Sequence, residues 1–273
     1  MARIYYIGDW AVQTGPVYAE TAFNYAYKGL EVINYGKWLK DALETAGHEV
    51  ESVPTWDFYG LPPGAYETVL AEHDVIVFSD VEAKNFQLSP SFFDRRKFGS
   101  GILTFPDRVR LTVEAVRAGK RVAFMGGWLS FNGECGKGGW GRTGLEEILP
   151  VECLEVEDLV ESTEGFRAVP AAGSALAPVL AGGSFPPVLG YNRALPRSGC
   201  EILAYWERMD SSSASAARKP RPTSLEPAVA IGDFGRGRTL AYTSDPAPHW
   251  GCNFVFWEGY AEFWRTCFDL LLQ

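Results

Sequence analysis

The sequence predicts an α/β fold built on a mostly parallel, doubly wound sheet. Two observations carry this expectation. Four short apolar runs each end in Gly, Ser or Asp, and segments of helical periodicity lie between them. The 273 residues suffice for one large domain with a sizeable core.

The runs are residues 4–9 (IYYIGD), 75–80 (VIVFSD), 122–127 (VAFMGG) and 240–245 (LAYTSD). Continuous apolar character over this length fits strands buried on both faces, as parallel strands are. Their polar endings are then expected along one sheet edge. Between the runs, Val32, Leu39, Leu43 and Ala46 mark one face of a helix that Gly47 ends. Pro106 suits a first helical turn. Val109, Val113 and Val116 follow at helical spacing, and Gly119 suits the cap beyond them. Tyr260, Phe263, Trp264, Cys267 and Leu271 form the apolar stripe of a final helix. This alternation predicts right-handed βαβ units.

The middle of the chain differs. Residues 151–156 and 201–206 are β-like, with Gly- and Pro-rich turns between them, which predicts an antiparallel extension against the main sheet. Residues 209–223 (MDSSSASAARKPRPT) hold almost no large apolar group and are expected to be a mobile loop. Residues 228–233 and 238–243 flank Phe234-Gly235-Arg236-Gly237, the pattern of a hairpin. The expectation is a single domain over residues 1–273, elaborated at residues 151–225.

Composition excludes several classes. The formal net charge is -9, and the densest basic run, Arg95-Arg96-Lys97, is short, so no nucleic-acid footprint is present. The five Cys are odd in number and lack C-x-x-C spacing, which points to reduced thiols and a cytoplasmic protein. With three His and no clustered Cys and His, neither a metal site nor a cofactor is expected. The first residues lack the features of a signal peptide, and no apolar run approaches membrane-spanning length.

Gly139-Trp140-Gly141-Arg142-Thr143-Gly144 formally matches G-x-G-x-x-G. A dinucleotide fingerprint must follow its strand directly, and here the strand ends near Gly127. Thr143 and Glu146 instead suggest a capping box for a short helix over residues 145–149. The stretch from Val122 to Ser130 reads as a buried strand running into a sharp Gly-rich elbow, where Trp128 would be presented to the cleft. Ser130 and Cys135 lie close enough in sequence to reach the same cleft. His249 follows Asp245-Pro246-Ala247-Pro248, a stiff connection just past a strand end. It is the histidine placed for acid–base work, whereas His48 and His73 precede strands and are expected at the surface. Asp9, Asp80 and Asp245 all fall at carboxyl ends of strands, where open α/β sheets bind ligands.

These residues carry a resemblance to a family. The segments Ser79-Asp80-Val81, residues 125–133 (MGGWLSFNG), residues 146–150 (EEILP), residues 243–251 (TSDPAPHWG) and residues 257–260 (WEGY) resemble the putative glutamine amidotransferase family. That is the class I amidotransferase-like group related to ThuA-like proteins of trehalose utilisation. The resemblance implies a flavodoxin-like α/β sheet and a cytoplasmic location. Class I amidotransferases carry an elbow Cys nucleophile and a later His-x-Glu pair. Here the elbow holds Trp128, and Gly251 stands two residues after His249. Glu258 could substitute only if the chain folds back.

The functional expectation is a small polar, sugar-like molecule bound or acted on at the strand ends. His249, Asp80 and Asp245 are the candidate catalytic residues, with Cys135 as a candidate nucleophile. Asp9, Trp128, Ser130, Trp250 and Glu258 are the candidate ligand contacts. Two alternatives stay open. One is a non-catalytic binding or assembly subunit with a partner surface around Trp10, Tyr18, Phe23, Tyr25 and Tyr27. The other is an amidohydrolase whose nucleophile has moved to Cys135. The expected partner is a small molecule, with homo-oligomer formation as an option and neither nucleic acid nor membrane.

Overall fold

The apolar runs become the centre of one sheet because nothing about them tolerates a wet face. The computed structural model describes residues 1–14, 17–21, 24–27, 30–62, 64–88, 106–181, 185–209 and 226–273. In chain order the strands are β1 (Arg3–Gly8), β2 (Trp10–Thr14), β3 (Val17–Thr21), β4 (Asn24–Tyr27), β5 (Leu30–Asn34), β6 (Glu49–Val53), β7 (Val75–Ser79) and β8 (Arg121–Met125). They continue with β9 (Val151–Cys153), β10 (Leu159–Pro170), β11 (Val188–Asn192), β12 (Ala194–Pro196), β13 (Glu201–Arg208), β14 (Pro227–Phe234) and β15 (Gly237–Tyr242).

Nine of these strands form one sheet in the order β11-β10-β13-β14-β15-β8-β7-β1-β6. The half from β15 to β6 is parallel, and the half from β11 to β15 is antiparallel. Of the predicted extension, residues 201–206 lie in β13 and continue the main sheet directly, whereas β9 pairs with β12 in a separate two-stranded sheet. This mixed α/β architecture fits the flavodoxin-like sheet that the resemblance implies. Every residue of β7 is buried, which accounts for its unbroken apolar sequence.

Alternation along the strands feeds two cores. Ile4, Tyr6, Val77, Met125 and Tyr242 pack with the helices Lys37–Thr45 and Tyr260–Leu272. Tyr5, Ile7, Phe78, Phe124 and Ala241 pack with the helices Ala65–Glu72 and Arg108–Arg117 on the other face. The predicted stripe of the last helix is buried in full, and Phe268 joins it. Each fully buried Phe or Leu of this kind contributes roughly 1.5–3 kcal/mol.

Several local expectations need correction. Val32 is not on a helix: it is an exposed residue of β5, paired with Val12 of β2. The helix begins only at Lys37, because the carbonyl of Asp9 accepts the amides of Tyr35 (2.7 Å) and Gly36 (3.1 Å) and holds the preceding turn. Pro106 precedes the helix Arg108–Arg117, whose cap is Asp107, accepting the amides of Val109 (2.9 Å) and Arg110 (3.2 Å). Residues 139–144 form tight 3-10 turns. Thr143 Oγ1 accepts the Leu145 amide and not that of Glu146, and Glu146 pairs with Arg197, so no capping box forms. His73 is buried, not on the surface: it caps the helix Ala65–Glu72, packs on the Tyr5 ring and faces Glu51 at 3.3 Å.

The hairpin is as expected, with Phe234 opposite Gly237 and Gly235 at φ 62° in the turn. Arg95-Arg96-Lys97 and residues 210–223 of the expected mobile loop lie outside the described residues. No helix among the described residues is long and apolar enough to cross a membrane.

Candidate functional site

Parallel strands put all their carboxyl ends on one edge, and β1, β7, β8 and β15 bring four loops there. Asp9 directly follows β1 and Asp80 directly follows β7. Both adopt positive φ, 56° and 52°, so the chain turns sharply as it leaves each strand. Asp245 stands three residues past β15, and Trp128 three residues past β8.

The centre of the site is His249. Its Nδ1 lies 2.8 Å from Asp245 Oδ2, and the acceptor-only carboxylate fixes the proton on Nδ1. Asp245 is itself held by the amide of Ala247, 2.7 Å from Oδ1. Asp80, Asp245 and His249 each offer a ligand-capable atom within 4.8 Å of the others, so these three are the residues that could hold a cation. Asp9 lies deeper. Tyr6 donates to its Oδ2, and Ser79 Oγ donates to its Oδ1 at 3.0 Å.

Aromatic rings wall the imidazole. Trp128 stacks on it with centroids 5.8 Å apart at 27°, and Tyr35 meets it edge-on at 4.8 Å and 61°. The indole N–H of Trp128 donates to Glu161 Oε1 at 3.0 Å, and that of Trp250 donates to the same oxygen at 2.7 Å.

The loop after β8 is pinned from behind. Asn192 Oδ1 accepts the Gly127 amide at 2.9 Å, and Asn192 Nδ2 donates to Asp158 Oδ1 at 2.8 Å. Asp158, fully buried, also accepts the amides of Asn132 (2.8 Å) and Gly133 (2.9 Å). The Leu129 amide donates to Asp80 Oδ1 at 2.8 Å.

Burial sets the electrostatics, and the carboxylates add to it. Burial first, then the Asp245 carboxylate, pushes Asp80 up to about 7. Burial, then Asp245 and Asp80, pushes Asp9 well above the usual carboxyl range. Asp245 is also raised by burial, with the His249 hydrogen bond pulling the other way. The hydrogen bond to Asp245 raises His249 to about 9, and burial opposes it. No Lys or Arg side chain contacts these four residues among the described residues.

The profile of the family described as putative glutamine amidotransferase matches residues 26–273. The chain belongs to that family. This amidotransferase-like chain also superposes on two cytoplasmic proteins of Salmonella typhimurium. One gives a TM-score of 0.78 at 24% identity, covering 98% of each chain. The other gives 0.77 at 26% identity, covering 99% of this chain and all of the other. A ThuA-like protein of Parabacteroides merdae superposes at a TM-score of 0.51 and 12% identity, covering 99% of this chain and 89% of that one. No curated protein matches the sequence.

Of the residues singled out in this amidotransferase-like sequence, Asp9, Asp80, Asp245, His249 and Trp128 converge at the strand ends. Trp250 is buried, with its indole bound to Glu161. Ser130 is fully buried, and its hydroxyl accepts the Asp80 amide at 3.0 Å. Glu258 is exposed, ahead of the last helix. Cys135 is exposed at φ 52°, its amide bonded to Glu157, and no side chain hydrogen-bonds its thiol among the described residues. Trp10 donates its indole N–H to Ser52 at 3.1 Å. The side chains of Tyr18, Phe23, Tyr25 and Tyr27, expected to form a partner surface with it, lie outside the described residues.

Sequence reasoning missed Tyr35, Glu161, Asp158 and Asn192. Asp158 and Asn192 stand in the β-rich middle, far in sequence from the elbow they hold. For Tyr35 the signal was Tyr35-Gly36 just ahead of a helix, a turn able to present a ring.

Proposed function

We propose that this amidotransferase-like chain performs acid–base chemistry on a small, neutral, hydroxyl-rich molecule and not glutamine hydrolysis. The observation that carries the reading is His249, bonded to Asp245 at 2.8 Å with Asp80 alongside, inside an aromatic slot. A protonated acid beside a base that titrates near neutrality is the pattern of a proton-transfer site. His249, raised to about 9, rests protonated and serves as the acid. Asp80, at about 7, is the base, and Asp245 orients the imidazole.

The charge selects the substrate class. Phosphate and carboxylate sites are built on Lys or Arg, and no such side chain contacts Asp9, Asp80, Asp245 or His249 among the described residues, which favours a neutral polar molecule. Carboxylates that accept hydroxyls, beside the exposed part of the Trp128 indole, suit a sugar-like ring. The elbow offers Gly127 and Trp128, neither a nucleophile, and no side chain hydrogen-bonds the Cys135 thiol among the described residues. The cytoplasmic description of the two Salmonella typhimurium relatives favours a cytoplasmic location.

The test begins with glutamine and an electrophilic glutamine analogue, read by ammonia release and intact-protein mass. The expected result is neither ammonia nor an adduct. A single adduct on Cys135 with ammonia released would overturn the reading in favour of a relocated nucleophile. A thermal-shift screen of sugars and polyols follows, in which a ligand that stabilises the wild type is expected to lose its effect in Asp80→Asn.

A further inference from the structure

We infer that Glu161 is a positioning residue that fixes the aromatic wall of this site by receiving the indole N–H groups of Trp128 and Trp250 on one carboxylate oxygen. The role rests on the proposed acid–base reading only in that His249 is the group whose surroundings it sets.

The two donors come from different loops. Trp128 belongs to the loop after β8, and Trp250, next to His249, belongs to the loop after β15. Glu161 comes from β10, three strands away from β15 in the sheet order. The β10–β11 ladder is regular from Leu159 to Glu161 and then breaks until Phe166, where pairing with β13 also begins. Glu161 therefore stands where β10 has left β13, free of that ladder and able to reach the sheet edge.

The two indoles differ in how firmly they are held. Trp250 is only 3% exposed, its carbonyl accepts the Leu189 amide at 2.9 Å, and a Cβ on Gly190 would come within 2.7 Å of its ring. It is wedged and serves as the anchor. Trp128 is 46% exposed, so packing alone leaves its rotamer free. The hydrogen bond to Glu161 at 3.0 Å ties that ring to the anchor and keeps it on the imidazole. An indole face over an imidazolium also favours the charged form.

The groups around His249 are Asp245 from its own loop, Asp80 after β7, Asp9 after β1, and the Tyr35 ring ahead of the helix Lys37–Thr45. Glu161 lies behind Trp128 and acts through it.

The test reads Trp128 without any substrate, so its failure and the failure of the acid–base reading are separable. A protonated imidazole in contact with an indole quenches its emission. The difference in fluorescence between wild type and Trp128→Phe is expected to rise as His249 loses its proton at alkaline pH. In Glu161→Leu that rise is expected to vanish, and in Glu161→Gln, which keeps an acceptor oxygen, it is expected to persist. A full rise in Glu161→Leu would overturn the proposal. Nitrogen-labelled tryptophan spectra of Glu161→Gln give the second measurement. The two indole N–H signals deleted by Trp128→Phe and by Trp250→Phe must both move, and a spectrum in which neither moves would overturn it as well.

Discussion

The carboxylate of Asp80 occupies the space that a side chain on Gly127 would need. A Cβ built there would overlap Asp80 Oδ1 and lie 2.6 Å from its Cγ, and Gly127 has φ 150°. The elbow of this amidotransferase-like chain is thus closed over a carboxylate. Gly127→Ala combines backbone strain with overpacking, each costing about 1–3 kcal/mol. We expect a loss of about 2 kcal/mol or more in urea unfolding. Combined with Asp80→Ala, which empties the space, the same substitution should cost less than the sum of the two single changes. Strict additivity would show that the two positions do not compete for space.

Asp80→Asn tests the charge. The folded-state pKa of Asp80 is raised from 3.8 to about 7, so between those values the native state binds the extra proton. Stability contributed by this group is full below its unfolded value and is lost as pH rises to about 7. The amide cannot ionise, and its oxygen can still accept from Leu129. Thermal melts should show Asp80→Asn gaining on wild type from mildly acidic to neutral pH and holding that gain above it. A difference that does not change with pH would remove the carboxylate from the account.

Asp245→Asn tests the dyad. The His249 pKa is raised from 6.5 to about 9, chiefly by the Asp245 hydrogen bond, so its contribution is full below 6.5 and is lost as pH rises through about 9. Replacing the carboxylate removes the main cause of that shift. The imidazole titration followed by NMR should move down by at least about one unit, since a hydrogen-bonded carboxylate shifts a neighbour by about 1–3. An unmoved midpoint would assign the shift to Asp80 and Asp9 instead.

Much of this site was legible in the sequence, for a physical reason. Parallel strands are apolar throughout and end abruptly, so Asp9, Asp80 and Asp245 announce their places at the carboxyl ends. His249 was legible through its prolines. The pairing of Asp80 with Gly127 was not, because it depends on a close approach between two loops. Val32 was misplaced on a helix because β-branched residues before a helix share its spacing, and only the Tyr35-Gly36 turn on the Asp9 carbonyl separates them. His73 was misread because a histidine ahead of a strand carries no sign of whether its ring packs, as it does on Tyr5.

Asp158 is where the antiparallel middle and the elbow depend on each other most. Its carboxylate receives the amides of Asn132 and Gly133 and the Asn192 side chain, all within 2.9 Å and away from water. Burial raises its pKa against these three bonds, so the site tolerates the carboxylate only because every donor is satisfied. Asp158→Ala strands three buried donors at about 1–3 kcal/mol each, which gives an expected loss of about 3 kcal/mol or more. Because Asn192 also holds the Gly127 amide, the loss should propagate to the elbow. Hydrogen exchange should then accelerate at Gly127 and Leu129 as well as at Asn132 and Gly133. Acceleration confined to Asn132 and Gly133 would show that the elbow is held by Asp80 and Ser130 alone.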